Sequence, residues 1–119
     1  MVQVALDAKA EDPVILDLRK LSFSFDFFVL LTAASDRRIQ TIVDEIAEKV
    51  SGNGSRPPRR EGSPEAGWVL LDEGAVVAHI FTPELREFYD LERLWADAPH
   101  VAIPKRTSLR GAKRRSNLS

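Results

Sequence analysis

Acidic side chains lie in or beside apolar, strand-forming runs at two places, where they could hold a metal ion. These acids are Asp17, Asp72 and Glu73, and paired carboxylates of this kind can bind Mg²⁺ for phosphoryl transfer. A nucleotidyl-transferring site would also need a Gly-Ser phosphate turn followed by two acids that alternate along the next strand. Here the turn is TAAS, residues 32–35, and no Asp-x-Asp follows it. A nucleotide-handling enzyme is therefore only the alternative hypothesis.

The two histidines do not form a catalytic pair that the sequence can support. His79 shares one face of a strand pattern with Val77 and Phe81, where a lone histidine is typical of a sheet or contact residue. His100 follows the last helix, too far along the chain to argue a pair. The sequence has no cysteine, no Ser-His-Asp signature and no Walker loop. We expect no catalytic residue, no cofactor and no metal, and binding in place of catalysis.

The stretch 68–95 combines a predicted hairpin with a predicted helix. Residues 68–71 and 75–81 are apolar runs separated by Asp-Glu-Gly, which is turn chemistry. Thr82 then offers an N-cap oxygen, and Pro83 suits the first helical position. The sequence therefore predicts two antiparallel strands followed at once by a helix.

The predicted last helix carries two apolar sets that one stripe cannot hold. The first set follows helical spacing, and the second is shifted around the axis: Leu85, Phe88 and Tyr89, then Leu91, Leu94 and Trp95. Either the helix bends near Asp90 and covers its own core, or its second half faces another polypeptide. A bent helix over its own core is the commoner arrangement. In favour of a partner surface, tyrosine and tryptophan are frequent anchors at interfaces.

The rest of the chain is predicted to form the helices and strands that pack around this stretch. We predict a short helix over 2–9, strands over 14–18 and 25–33, and a helix capped by Ser35 that runs to about residue 50. The strand over 25–33 is apolar almost throughout, as in a central strand covered on both faces. The element order predicts a single α/β domain with a mixed β-sheet flanked by helices on both faces.

Two segments are predicted to lack regular structure. Residues 51–67 hold three prolines and four glycines, so we expect a flexible loop within a domain that spans 1–104. Residues 105–119 form a basic tail that we expect to be disordered. The tail has six cations and no acid, which leaves 11 basic and 18 acidic residues before it: Lys105, Arg106, Arg110, Lys113, Arg114 and Arg115. It is either a solubilising extension or an RNA phosphate contact.

The hydropathy pattern does not predict a signal peptide or a membrane-spanning segment. The N-terminal stretch lacks a basic start followed by an apolar core, and no run approaches eighteen apolar residues. We therefore expect a soluble, cytoplasmic protein.

Several motifs spread over residues 5–97 resemble the ribosomal silencing factor family, RsfS/Iojap. They are Asp17-Leu18, DFFV at 26–29, SDR at 35–37, REG at 60–62, GWVLLD at 67–72, VVAHIF at 76–81 and REFYDLERLW at 86–95. The resemblance implies a cytoplasmic factor that docks on a protein at the intersubunit face of the large ribosomal subunit. There it would block joining of the small subunit and repress translation when nutrients are short. It also implies a nucleotidyltransferase-like fold without the catalytic motif, and a homodimer when the protein is free.

The resemblance also implies a contact surface on the hairpin and the last helix. Its expected members are Trp68, Leu70, His79, Phe81, Tyr89, Leu91, Leu94 and Trp95. The sequence departs from the family pattern near Phe27, where tyrosine or cysteine is usual, and near Ala33, where glycine is usual. The basic tail lies outside the shared region. Neither departure falls on the expected contact surface.

Overall fold

The core of the protein is one mixed five-stranded sheet. The computed structural model describes residues 2–52 and 58–103. Its strands are β1 (Glu11–Asp17), β2 (Phe27–Thr32), β3 (Arg59–Ser63), β4 (Trp68–Asp72) and β5 (Val76–Phe81). They lie in the order β1-β2-β5-β4-β3. The central β2 and β5 are parallel, and every other neighbouring pair is antiparallel, so the predicted hairpin is confirmed.

Helices cover both faces of this sheet, which confirms the predicted α/β fold. They are α1 (Val2–Asp7), α2 (Asp36–Gly52), α3 (Pro83–Tyr89) and α4 (Leu91–Leu94). Successive β2 side chains point to opposite faces. Val29 and Leu31 therefore join one core with α1 and α2, whereas Phe28 and Leu30 join a second core with side chains of α3 and α4.

Local signals explain the longest helix and the first strand. The Ser35 hydroxyl accepts a hydrogen bond from the backbone N–H of Arg38 at 3.1 Å, as predicted for the cap of α2. β1 starts before Pro13, earlier than predicted, and its pairing register against β2 shifts between Glu11 and Val14. Proline is tolerated at such an irregularity on an outer strand. Backbone hydrogen bonds from the chain at 99–101 cover the outer edge of β1.

The prediction of a loop over 51–67 is wrong for its second half. Residues 59–63 form β3, which pairs with β4 in register from Arg59 opposite Asp72 to Ser63 opposite Trp68. A single 3₁₀ turn follows at Pro64–Ala66, with the Ser63 hydroxyl accepting from the Ala66 N–H. Pairing with an apolar neighbour thus outweighs the low strand propensity of RREGS. Residues 53–57 lie outside the described part of the chain.

Alanine at Gly62 is expected to destabilise the protein more than alanine at Gly74. Both glycines have positive φ, 81° and 89°, which costs an L-residue about 1 kcal/mol. A Cβ on Gly62 would also lie 2.3 Å from the Trp68 carbonyl oxygen, whereas one on Gly74 meets nothing within 4 Å. Since overpacking adds about 1–3 kcal/mol, urea unfolding should show a loss of about 2–4 kcal/mol for Gly62→Ala. Equal losses for the two variants would contradict the close β3–β4 approach.

Candidate functional site

An aromatic stack on β4 and β5 supports the helices that follow. Trp68 stacks on Phe81 with ring centroids 5.3 Å apart, and His79 lies 5.9 Å from each of them. The alternation of β5 places His79 on the same face as Val77 and Phe81, as predicted. Tyr89, the last residue of α3, tilts over Trp68 at 4.7 Å. The stack therefore joins the sheet to the end of α3.

Asp90 divides the predicted last helix into two. It adopts the left-handed conformation, with φ 48° and ψ 54°, between α3 and α4. A bend near Asp90 is one of the two interpretations of the sequence, and the structure has it. The bend explains the two apolar sets, because the helix axis changes direction between them. Thr82 does occupy the N-cap of α3, but its side chain makes no capping hydrogen bond. The predicted hydroxyl cap is therefore wrong, and Pro83 at the first position marks the helix start.

Large apolar side chains of α3 and α4 are left in solvent. Phe88 is 76% exposed, Leu94 71% and Tyr89 43%. We call these three the exposed α3–α4 surface. Phe88 and Tyr89 contact each other edge to face at 5.1 Å. One side of Tyr89 rests on Trp68, and most of Phe88 and Leu94 is exposed. The described part of the protein thus presents a hydrophobic surface at its last two helices.

The eight expected contact residues occupy three different environments. Only Tyr89 and Leu94 are well exposed. Four others are half-buried against the second core: Trp68, Leu70, Leu91 and Trp95. His79 and Phe81 are buried, with 4% and 1% of their surface exposed. These two cannot touch a partner in this conformation and instead hold the stack beneath the surface.

Phe88 is the contact candidate that the sequence reasoning missed. Its spacing from Leu85 placed both in one predicted stripe, yet Leu85 packs on the second core while Phe88 points outward. The signal for its exposure was the shortness of α3, since a seven-residue helix ending at a left-handed residue cannot bury a wide stripe. That ending is a tertiary feature, so spacing alone did not disclose it.

Burial controls the charge of His79. Its Nδ1 accepts a hydrogen bond from the Trp68 indole N–H at 3.3 Å, and its buried Nε2 has no hydrogen-bond partner among the described residues. Desolvation lowers the pKa of His79 to about 4, because a buried cation without a counter-charge is unfavourable. The ring is therefore neutral at pH 7 and packs as part of the aromatic stack.

Acid is expected to weaken the fold through His79. The unfolded chain binds the proton below its ordinary pKa of about 6.5, whereas the folded chain does so only below about 4. The contribution of neutral His79 is thus complete above pH 6.5 and is lost as the pH falls toward 4. That shift corresponds to about 3 kcal/mol. The unfolding free energy of wild type minus that of His79→Phe should fall by this amount between pH 7 and pH 4; a constant difference would refute the assignment.

The three acids considered for metal binding do not come together. Asp17 accepts hydrogen bonds from the Arg19 guanidinium at 2.7 and 2.9 Å, which lower the pKa of its carboxyl to about 2. Asp72 accepts from Arg59 at 3.4 Å and from the Gly74 N–H, and Glu73 is exposed in the turn. β1 and β4 are three strand spacings apart, about 14 Å. Within residues 2–52 and 58–103, no cluster of histidines and acids could hold a metal ion.

The predicted tail contacts, which begin at Lys105, lie outside the described residues. In the part of the chain that the structure describes, no helix is both long and apolar enough to cross a bilayer.

Fold and surface together define a small α/β protein that offers an apolar helical surface supported by an aromatic stack. Comparison with known proteins identifies its family. The family described as "Ribosomal silencing factor during starvation" matches residues 1–118. The chain belongs to this ribosomal silencing factor family, RsfS, whose general role is the regulation of translation at the ribosome.

Relatives and solved structures agree with this membership. Ribosomal silencing factor RsfS of Bacillus subtilis is 42% identical over 93 residues, which cover 78% of this chain and 79% of the relative. Protein Iojap, chloroplastic, of Zea mays is 34% identical over 104 residues, covering 87% of this chain and 45% of the relative. A crystal structure from Chromobacterium violaceum, protein CV0518, superposes with a TM-score of 0.75 at 30% identity, covering 87% of this chain and 83% of that one. A Bacillus halodurans structure gives 0.74 at 36% identity, covering 86% and 92%.

Proposed function

We propose that this protein binds the large ribosomal subunit at its intersubunit face through the exposed α3–α4 surface. Bound there, it prevents the small subunit from joining and so represses translation in the cytoplasm. The observation that carries the proposal is the exposure of Phe88, Tyr89 and Leu94 on two helices whose other apolar side chains pack on the core. Aromatic side chains are enriched among the few interface residues whose truncation costs about 2 kcal/mol or more.

The charge of α3 and α4 favours a protein partner over RNA. Residues 83–94 carry four acids and two arginines, and Arg86 is paired with Glu92 at 3.2 Å. A surface with net negative charge repels nucleic-acid phosphates, whose binding depends on lysine and arginine. An apolar patch with acidic neighbours instead suits a ribosomal protein with an apolar site and a basic rim.

Rigid support under the surface makes it suitable for docking. Tyr89 leans on Trp68, which is stacked on Phe81, and Phe28 meets the Trp95 ring edge to face at 5.9 Å. Side chains held in this way lose little conformational freedom on binding. The protein can therefore present the surface in one arrangement before it meets the ribosome.

Co-sedimentation with separated ribosomal subunits tests the proposal. The wild-type chain should pellet with the large subunit and stay in the supernatant with the small subunit. Because the proposed contact is apolar with a charged rim, raising the salt from 50 to 200 mM should weaken binding moderately, in contrast to the steep loss expected for phosphate contacts. Pelleting with the small subunit, or with neither subunit, would refute the proposal.

We also propose that the free protein forms a homodimer. A second copy could cover the same apolar surface, so a homodimer of the free protein would compete with ribosome binding.

We propose no enzymatic activity, because Asp17 and Asp72 are on separate strands and each accepts hydrogen bonds from an arginine. Saturable, magnesium-dependent binding of ATP, CTP or GTP in calorimetry, reduced by Asp17→Asn, would revive the nucleotide-handling alternative.

A further inference from the structure

One nearly buried arginine ties together the elements on either side of the helix break. The Arg86 side chain, on α3, is 12% exposed. Its Nε and Nη2 donate to the two carboxylate oxygens of Glu92 on α4, at 3.3 and 3.2 Å. Its Nη1 donates to the Thr32 hydroxyl at 2.8 Å and to the Asp12 carbonyl. The planar guanidinium thus links β1, β2 and α4 through a set of donors that lysine cannot reproduce.

The backbone conformation positions the groups that accept hydrogen bonds from Arg86. Asp12 has a positive φ of 46°, inside the stretch where the register of β1 against β2 shifts. This irregularity allows its carbonyl to accept from Arg86. Thr32 ends β2 and is buried, so its hydroxyl would lose a partner if Arg86 were absent. The groups that accept hydrogen bonds from Arg86 therefore lie at one end of the β1–β2 pair.

α4 needs an outside support. It is a single turn of four residues, and its N-cap residue, Asp90, makes no side-chain capping hydrogen bond. Helices this short are unstable by themselves, since one turn fixes several dihedral angles for very few hydrogen bonds. The paired hydrogen bonds between Arg86 and Glu92 span the break from α3 to α4 and fix the angle between them.

We propose that Arg86 is a positioning residue for docking, which sets where Leu94 on α4 stands relative to Phe88 on α3. This inference rests on the proposed function. Arg86 itself is too buried to be a main contact and acts through Glu92. Loss of the link should loosen α4 and weaken binding to the large subunit while the sheet and α2 stay folded.

Amide hydrogen exchange and binding, measured on the same samples, test this role. In Arg86→Lys, exchange of the Leu94 and Trp95 N–H groups, which donate to Asp90 and Leu91 carbonyls, should accelerate about tenfold. Affinity for the large subunit should fall by about the same factor, the scale expected for residues that act without touching the ligand. The amides of α2 should exchange at the wild-type rate, which a general loss of stability would not allow.

Glu92→Gln provides a milder second variant, because it leaves the bonds of Arg86 to Thr32 and Asp12 in place. It should show the same two changes in smaller degree, and Glu45→Gln, an exposed charge removal on α2, should show neither. Unchanged exchange in α4, or faster exchange with unchanged affinity, would overturn the positioning role. A wild-type chain that does not bind the large subunit would instead refute the proposed function.

Discussion

The double substitution Phe88→Asp and Leu94→Asp is expected to reduce affinity for the large ribosomal subunit by about a thousandfold. Each side chain is mostly in solvent in the free protein. If each contributes about 2 kcal/mol to binding, losing both corresponds to about 4 kcal/mol, or three powers of ten. Co-sedimentation over a range of protein concentrations measures this loss. Urea unfolding should change by no more than about 0.5 kcal/mol, because the sites are exposed.

The loop between β1 and β2 offers a matched control for this experiment. Leu21 and Phe23 are also exposed apolar residues, but they lie outside α3 and α4. Leu21→Asp with Phe23→Asp makes the same chemical change at a different place and should leave binding within about twofold of wild type. Equal losses from both double variants would show that general hydrophobicity, and not the α3–α4 surface, drives binding.

The largest expected loss of stability comes from Phe81→Ala. Phe81 is 99% buried and its ring lies against Trp68, His79 and Tyr89. Truncating a buried phenylalanine costs about 3–5 kcal/mol, because transfer free energy is lost and a cavity is left. Thermal and urea unfolding should both report it. The support under Tyr89 would weaken as well.

Phe88→Ala is the counterpart that separates folding from docking. It removes the same side chain from an exposed position on α3, so we expect little change in the unfolding free energy and a clear loss of subunit binding. Phe81→Ala should lower the unfolding free energy whether or not ribosomal subunits are present. If the two substitutions had equal effects on unfolding, the burial of Phe81 and the exposure of Phe88 would both be in doubt.

Local apolar patterns were sufficient for the most regular elements, whether these bury one face or both. The spacing from Ile39 to Ile46 and the cap at Ser35 predicted α2, and the apolar run 25–33 predicted the doubly covered β2. β3 could not be predicted in this way. Its sequence, RREGS, has weak strand propensity and becomes a strand through hydrogen bonds to β4, which no local pattern encodes.

The candidate site was predictable in its elements but not in its individual contacts. The two apolar sets around Asp90 indicated either a bend over the protein's own core or a surface for a partner. Which side chains point outward depends on how α3 and α4 dock, and that docking involves Arg86 bonds to residues 54 and 74 positions away in the chain. The family resemblance placed Phe81 on the expected contact surface, and spacing placed Phe88 in the predicted stripe. In the structure Phe81 is buried and Phe88 is exposed.

Subunit joining, followed on sucrose gradients, tests the central claim most directly. Purified large and small subunits are mixed at a magnesium concentration that supports joining, with wild-type protein, with the Phe88→Asp, Leu94→Asp variant, or with neither. We predict that the wild-type chain shifts the joined peak to separate subunits and travels with the large one, and that the variant leaves the joined peak unchanged. A joined peak that persists with wild-type protein bound to the large subunit would contradict the account.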